Sequence, residues 1–153
     1  MTIEDPASCE FESDKLLVKL DMTLPADIGT VPVVMNRIMS IIGEMGCAVG
    51  REFEIELALN EALVNAIQHG CAHDPAKKIQ CCVACDRARG MLIVVRDAGP
   101  GFDPASIPNP VMGRNVYSTH GRGIYLINQL VDEVRFEKGG TEIHMRVNPP
   151  ASG

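Results

Sequence analysis

Tryptophan is absent from this chain, and Phe and Tyr together bring the aromatic share to only 4%. The core must therefore be filled by Leu, Ile, Val, Met and Ala. Basic residues do not dominate. Lys and Arg number 14 against 20 Asp and Glu, a formal net charge of −6, which argues against a general nucleic-acid binder. A polyphosphate bound by such a chain needs local help from a metal, a helix N-terminus or a few cations. No apolar run approaches the roughly 20 residues that span a bilayer. The first stretch, MTIEDPASCEFESDK, is acidic and lacks the apolar centre of a secretory signal, so the expectation is a cytoplasmic protein. Internal repeats and low-complexity segments are also missing. The six cysteines do not suggest a disulfide scaffold, because 153 residues suffice for a single core without staples; reduced thiols are expected.

What is present is an ordinary globular balance, 46% hydrophobic and 22% charged. Residues 1–14 read as a flexible polar tail, 15–148 as one domain and 149–153 as a C-terminal tail. Leu16, Val18, Leu20 and Met22 alternate with polar residues as in a strand, and Pro25, Asp27 and Gly29 break the pattern. Val33, Val34, Ile38, Ile41, Ile42 and Met45 recur at helical spacing, with Gly46 as a stop. A second helix is expected from about Arg51 to Gln68. It is apolar around most of its circumference (Phe53, Ile55, Leu57, Leu59, Leu63, Val64, Ile67), as a buried helix would be. Two strands follow, Ile79–Asp86 and Met91–Asp97, then a segment over 98–120 with too many Pro and Gly for a regular element. A helix from Gly121 to Leu130 and a hairpin of Val134–Glu137 with Thr141–Val147 close the domain. This order predicts an α/β (α+β) two-layer sandwich, with a mixed, mostly antiparallel sheet covered on one face by about three helices.

Three polar clusters stand out against this apolar background. Glu61 and Asn65, four apart, share one helix face a turn apart. Asn65 has an oxygen suited to Mg²⁺, a hard cation. Glu61 can orient or deprotonate a hydroxyl attacking a γ-phosphate. Taken alone, the pair also reads as a solvated stripe. In DAGPG, directly after a strand, Asp97 can accept from the exocyclic amine of adenine, and Gly99 and Gly101 let backbone approach a flat base; such turns are common at strand ends. In HGRG, the free N–H groups at Gly121 and Gly123 make an anion site, and Arg122 and His120 add positive charge, although a lone GxG is weak. The breaker-rich segment before it can act as a lid. Thr141 can reach the base side directly or through water, or is simply a strand residue. Cys82 and Cys85 point to opposite faces of a strand. Cys81 and Cys85 share a face roughly 13 Å apart, too far for a disulfide. These three read as buried fillers.

The ordered set Glu61-x-x-x-Asn65-Ala66-x-x-His69-Gly70, Asp97-x-Gly99-x-Gly101-Phe102, Gly121-x-Gly123 and Gly140-Thr141 resembles the ATP-binding fold of gyrase, heat-shock chaperones, histidine kinases and mismatch-repair ATPases. Within that superfamily the chain is most similar to the anti-sigma factor serine/threonine kinases of bacterial partner-switching modules, through NAIQHG and GRGIYLINQLVDEV. The resemblance implies ATP and Mg²⁺ as cofactors and a homodimer. It also implies phosphorylation of a STAS-domain anti-anti-sigma factor and sequestration of a sigma factor. By motif position, Glu61 is the catalytic base, Asn65 the Mg²⁺ ligand and Asp97 the adenine reader. Gly99 and Gly101 shape the pocket, and Gly121 and Gly123 hold phosphate. Some relatives carry an arginine just before the first glycine of the last motif. Here Thr119 and His120 stand there, and Arg122 sits between the glycines. Three alternatives remain open: a switch kinase that binds no sigma factor, a non-catalytic ATP-gated binding module, and the ATPase half of a two-component histidine kinase.

Overall fold

The computed structural model describes residues 16–46, 48–71, 74, 76–86, 90–99 and 126–149. Among the described residues five strands form one sheet: β1 (Leu16–Pro25), β2 (Lys78–Asp86), β3 (Gly90–Arg96), β4 (Glu133–Glu137) and β5 (Glu142–Val147). Their spatial order is β1-β2-β3-β5-β4, so the last hairpin folds back and inserts β5 beside β3. Every pairing among the described residues is antiparallel, where the sequence predicts a mixed, mostly antiparallel sheet. Two long helices, α1 (Val31–Met45) and α2 (Glu52–Asn65), pack against the sheet, and a short helix α3 covers 126–130. The two-layer α/β architecture is as expected. Residues 121–125 of the third expected helix, and the expected lid over 98–120 from residue 100 onward, lie outside the described residues.

Period-two patterning sends alternate strand residues into the helical layer. Val83, Ile93, Val95, Met91 and Met145 meet Ile38, Ile42, Ile55, Leu59 and Leu63 in one core. Cys82, Ala84, Leu92 and Val94 form a smaller buried cluster on the opposite sheet face. β1 runs three residues beyond Met22, through Pro25, which pairs with Lys78. As an edge strand it tolerates a proline at its end, where no ladder donor is required.

Helix α1 starts with Pro32 in its first turn and stops at Gly46, whose φ of 69° is left-handed. It buries Val31, Met35, Ile38 and Ile42, spaced 4, 3 and 4. Val33 (70% exposed) and Met45 (42%) fall outside that stripe, contrary to the expected apolar face. Helix α2 is likewise buried on one side rather than all round. Ala58 and Ala62 complete the Ile55–Leu59–Leu63 face, while Phe53 is 72% exposed. Ile55, Leu59, Leu63 and Ile67 are buried as expected, and Phe53 departs from the expected all-round burial. Glu52 and Glu54 complement the helix N-terminus. Arg51 ties that end to the far side of the domain. Its Nη2 donates to the Leu130 carbonyl at 3.0 Å, and its Nη1 donates to Asp132 at 3.3 Å.

Cys71, Cys81 and Cys82 are buried and form no disulfide. Burial, reinforced by the charge of Asp21, pushes the Cys81 thiol up to about 12. Cys85 corrects the expectation of reduced thiols, because it is disulfide-bonded, to a partner outside the described residues. Strand spacing excluded a bond within β2 and had no bearing on a cysteine remote in sequence.

Candidate functional site

Helix α2 carries Glu61 and Asn65 on successive turns, both half-buried. Directly after Asn65 the helix widens into a π-turn, Ala66–Gly70, closed by the Cys71 N–H donating to the Ala66 carbonyl at 2.9 Å. Sequence reading placed an unbroken helix here. Single π-turns are concentrated at functional sites, and this one falls on AIQHG of the first motif. The Asn65 amide nitrogen is buried without a hydrogen-bond partner among the described residues. A buried polar group left unmade costs about 1–3 kcal/mol, so its persistence points to a ligand atom that completes it. Glu61 makes no side-chain hydrogen bond or ion pair among the described residues and stands one turn away on the same face.

The second cluster sits at the end of β3. Asp97 Oδ1 accepts from the Gly99 N–H at 2.7 Å, an Asx-turn that fixes the carboxylate and leaves its second oxygen for a ligand. Burial raises the Asp97 pKa; the Gly99 N–H and the positive charge of Lys77 oppose that rise. Lys77 is a cation that sequence reading missed, being 20 residues away in a loop with no motif. The Asp97 N–H donates to the Thr141 carbonyl at 2.9 Å, so the fold brings these two expected residues together. Thr141 precedes β5 instead of opening it. Its hydroxyl donates to the Lys138 carbonyl at 2.9 Å, closing the turn between β4 and β5 and leaving the oxygen free to accept. Helix α2 packs against β3, so the elements that carry the two clusters are neighbours across the helix–sheet interface.

Gly101, His120, Gly121, Arg122 and Gly123 lie outside the described residues. Among the described residues no group of three or more His, Cys, Asp or Glu side chains is placed to cage a metal. Mg²⁺ commonly takes one or two protein ligands and completes its shell with phosphate and water; the side-chain oxygen of Asn65 has the matching chemistry. A cavity of about 420 Å³ between α1 and α2, lined by residues such as Met35, Phe53 and Leu57, includes none of the expected site residues.

Residues 24–147 match the histidine kinase-like ATPase domain. The chain is 27% identical over 124 residues to a serine-protein kinase RsbW of Bacillus cereus (strain G9842), with 76% of each chain covered. It is 28% identical over 127 residues to the enzyme of that name from Bacillus licheniformis, with 77% of each covered. Its fold is similar to that in the crystal structure of the RsbU and RsbW domains of Rv1364c from Mycobacterium tuberculosis. There the TM-score is 0.59 at 20% identity, over 86% of this chain and 31% of that longer one. The matched span takes in both described clusters and four of the five strands entire, and the chain belongs to the histidine kinase-like ATPase domain family.

Proposed function

We propose that this protein is an ATP- and Mg²⁺-dependent serine/threonine kinase that acts as an anti-sigma factor. It phosphorylates a STAS-domain anti-anti-sigma partner and, as a homodimer, sequesters a sigma factor. The observation that carries the nucleotide reading is the buried, unpartnered amide nitrogen of Asn65 one turn from Glu61, set against a π-turn. The kinase reading draws its support from the similarity to RsbW serine-protein kinases.

In this reading Asp97 accepts the adenine amine, and Gly99, with Gly101, shapes the base pocket. Gly121 and Gly123 offer backbone N–H groups to phosphate, with Arg122 and His120 as cations. Thr141 accepts on the base side. Mg²⁺, held by the Asn65 oxygen and the phosphates, would neutralise charge on the transferring group. Glu61 takes the proton of the partner's serine or threonine hydroxyl as its oxygen bonds to the γ-phosphorus and the bond to the β-phosphate oxygen breaks, releasing ADP. No helix among the described residues is long and apolar enough to cross a membrane, which accords with work in the cytoplasm.

The test is phosphate transfer from ATP to a cognate STAS-domain partner with Mg²⁺ present. Glu61→Ala is expected to lower transfer by about 10²- to 10⁴-fold, the usual contribution of a positioned base, with ATP binding retained. Tight ATP binding without transfer by the unaltered protein would instead support a non-catalytic binding module.

A further inference from the structure

On the sheet face away from α1 and α2, polar side chains form a chain across all five strands. Gln80 Nε2 of β2 donates to Asp21 Oδ1 of β1 at 3.1 Å, and Arg96 Nη1 of β3 donates to Gln80 Oε1 at 2.5 Å. Arg96 Nε stands 2.6 Å from Glu142 Oε2 of β5, a contact between opposite charges without hydrogen-bond alignment, and the other Glu142 oxygen meets His144 Nε2 at 3.0 Å. Arg135 Nη2 of β4 reaches His144 Nδ1 at 3.5 Å, and Arg135 Nε pairs with Glu137. A guanidinium only donates, so Nδ1 accepts and the Nε2 proton goes to Glu142.

The register explains the need for the arginines. Glu137 and Glu142 are directly opposed, a like-charge pair that would push β4 from β5, and the Glu142 side chain is 3% exposed. The centre of this network stands directly behind the candidate nucleotide site. Arg96 immediately precedes Asp97, Glu142 immediately follows Thr141, and Arg96 and Glu142 are themselves opposed in the β3–β5 ladder. The Asp97–Thr141 hydrogen bond is the next rung, at the point where β3 has ended.

We propose that Arg96 and Glu142 are positioning residues for base selection. Their ion pair on the outer face pins the ends of β3 and β5, so that the Asp97 N–H stays on the Thr141 carbonyl and the Asp97 carboxylate is held at the depth where it meets the base. The inference rests on the nucleotide reading above. It adds that discrimination between ATP and GTP depends on a contact that never touches the nucleotide. Adenine presents an amine donor where guanine presents an acceptor, so a displaced Asp97 loses the adenine contact and leaves a guanine nucleotide little affected.

The experiment measures Kd for ATP and for GTP with Mg²⁺, urea midpoints, and amide exchange at Asp97. The variants are Glu142→Gln, which keeps shape and removes charge, and Arg96→Lys, which keeps charge and loses the planar fork. Both are expected to weaken ATP about tenfold, the scale on which supporting partners act at bound metals, with GTP nearly unchanged. The Asp97 amide exchanges faster while Ile93 and Val94 stay protected. The exchanged double variant R96E/E142R restores selectivity. An unchanged ATP-to-GTP ratio in a folded variant, or equal loss of both nucleotides tracking a lowered urea midpoint, overturns the proposal. An unaltered protein that binds neither nucleotide refutes the nucleotide reading instead, and the pinning of the strand ends is then judged by Asp97 exchange alone.

Discussion

Asp97 places a charge where the fold resists one. Burial raises its pKa, so the folded state keeps a proton that the unfolded chain, with an ordinary value of about 3.9, has released. Stability therefore falls as pH rises through the window from about 3.9 up to the raised folded value, and the penalty is complete above it. In the proposed function Asp97 accepts the adenine amine as a carboxylate, so ATP binding is expected to have the opposite pH dependence. Asp97→Asn is expected to leave the protein at least as stable as the unaltered form at pH 7, a difference that closes on acidification below about 3.9. The same change weakens ATP by about 10- to 100-fold, since a hydrogen bond to a charged group contributes about 1.5–3 kcal/mol. Urea titrations at pH 7 and pH 3.5, paired with calorimetric ATP binding, check both halves. Asp97, Glu61 and Asn65 were legible as candidate site residues because chemistry-bearing side chains interrupted apolar patterns. Lys77 was not, because it acts through space and has no pattern of its own.

At the level of elements, the turns decide more than the strands do. Gly90 opens β3 with φ of 90°, and a Cβ there would meet the Val147 carbonyl oxygen at 2.1 Å. Gly139, with φ of 68° in the β4–β5 turn, has open space around it. Gly139→Ala is expected to cost about 1–2 kcal/mol, the left-handed penalty alone. Gly90→Ala is expected to cost clearly more, because backbone must also move and β3 pairs with β5 on that side. Urea midpoints of the two variants check the ranking. The strands were legible from alternation, and both hairpins from their glycines. The ends of elements were less so. β1 continued through Pro25 because an edge position relaxes the hydrogen-bond rule. α2 changed to a π-turn at Ala66 with no breaker residue to announce it. The burial stripes of α1 and α2 were misjudged at Val33 and Phe53, since apolar identity does not reveal which residues of a helix meet a partner layer.

Across the whole molecule, the two faces of one sheet take different tasks. The helical side buries the apolar core and presents α2, with Glu61 and Asn65, beside the strand that ends at Asp97. The opposite side carries the polar chain from Asp21 to Glu137. Fold class was readable from element order, and the inserted position of β5 was not, because the pairing of β3 with β5 is nonlocal and leaves no local signature. The central claim is that Asn65 completes an ATP–Mg²⁺ site on α2, and equilibrium binding of ATP with and without Mg²⁺ tests it most directly. ATP should bind the unaltered protein in a Mg²⁺-dependent manner. That dependence should vanish in Asn65→Ala and survive in Glu61→Ala. Binding that ignores both Mg²⁺ and the loss of Asn65 would contradict the account.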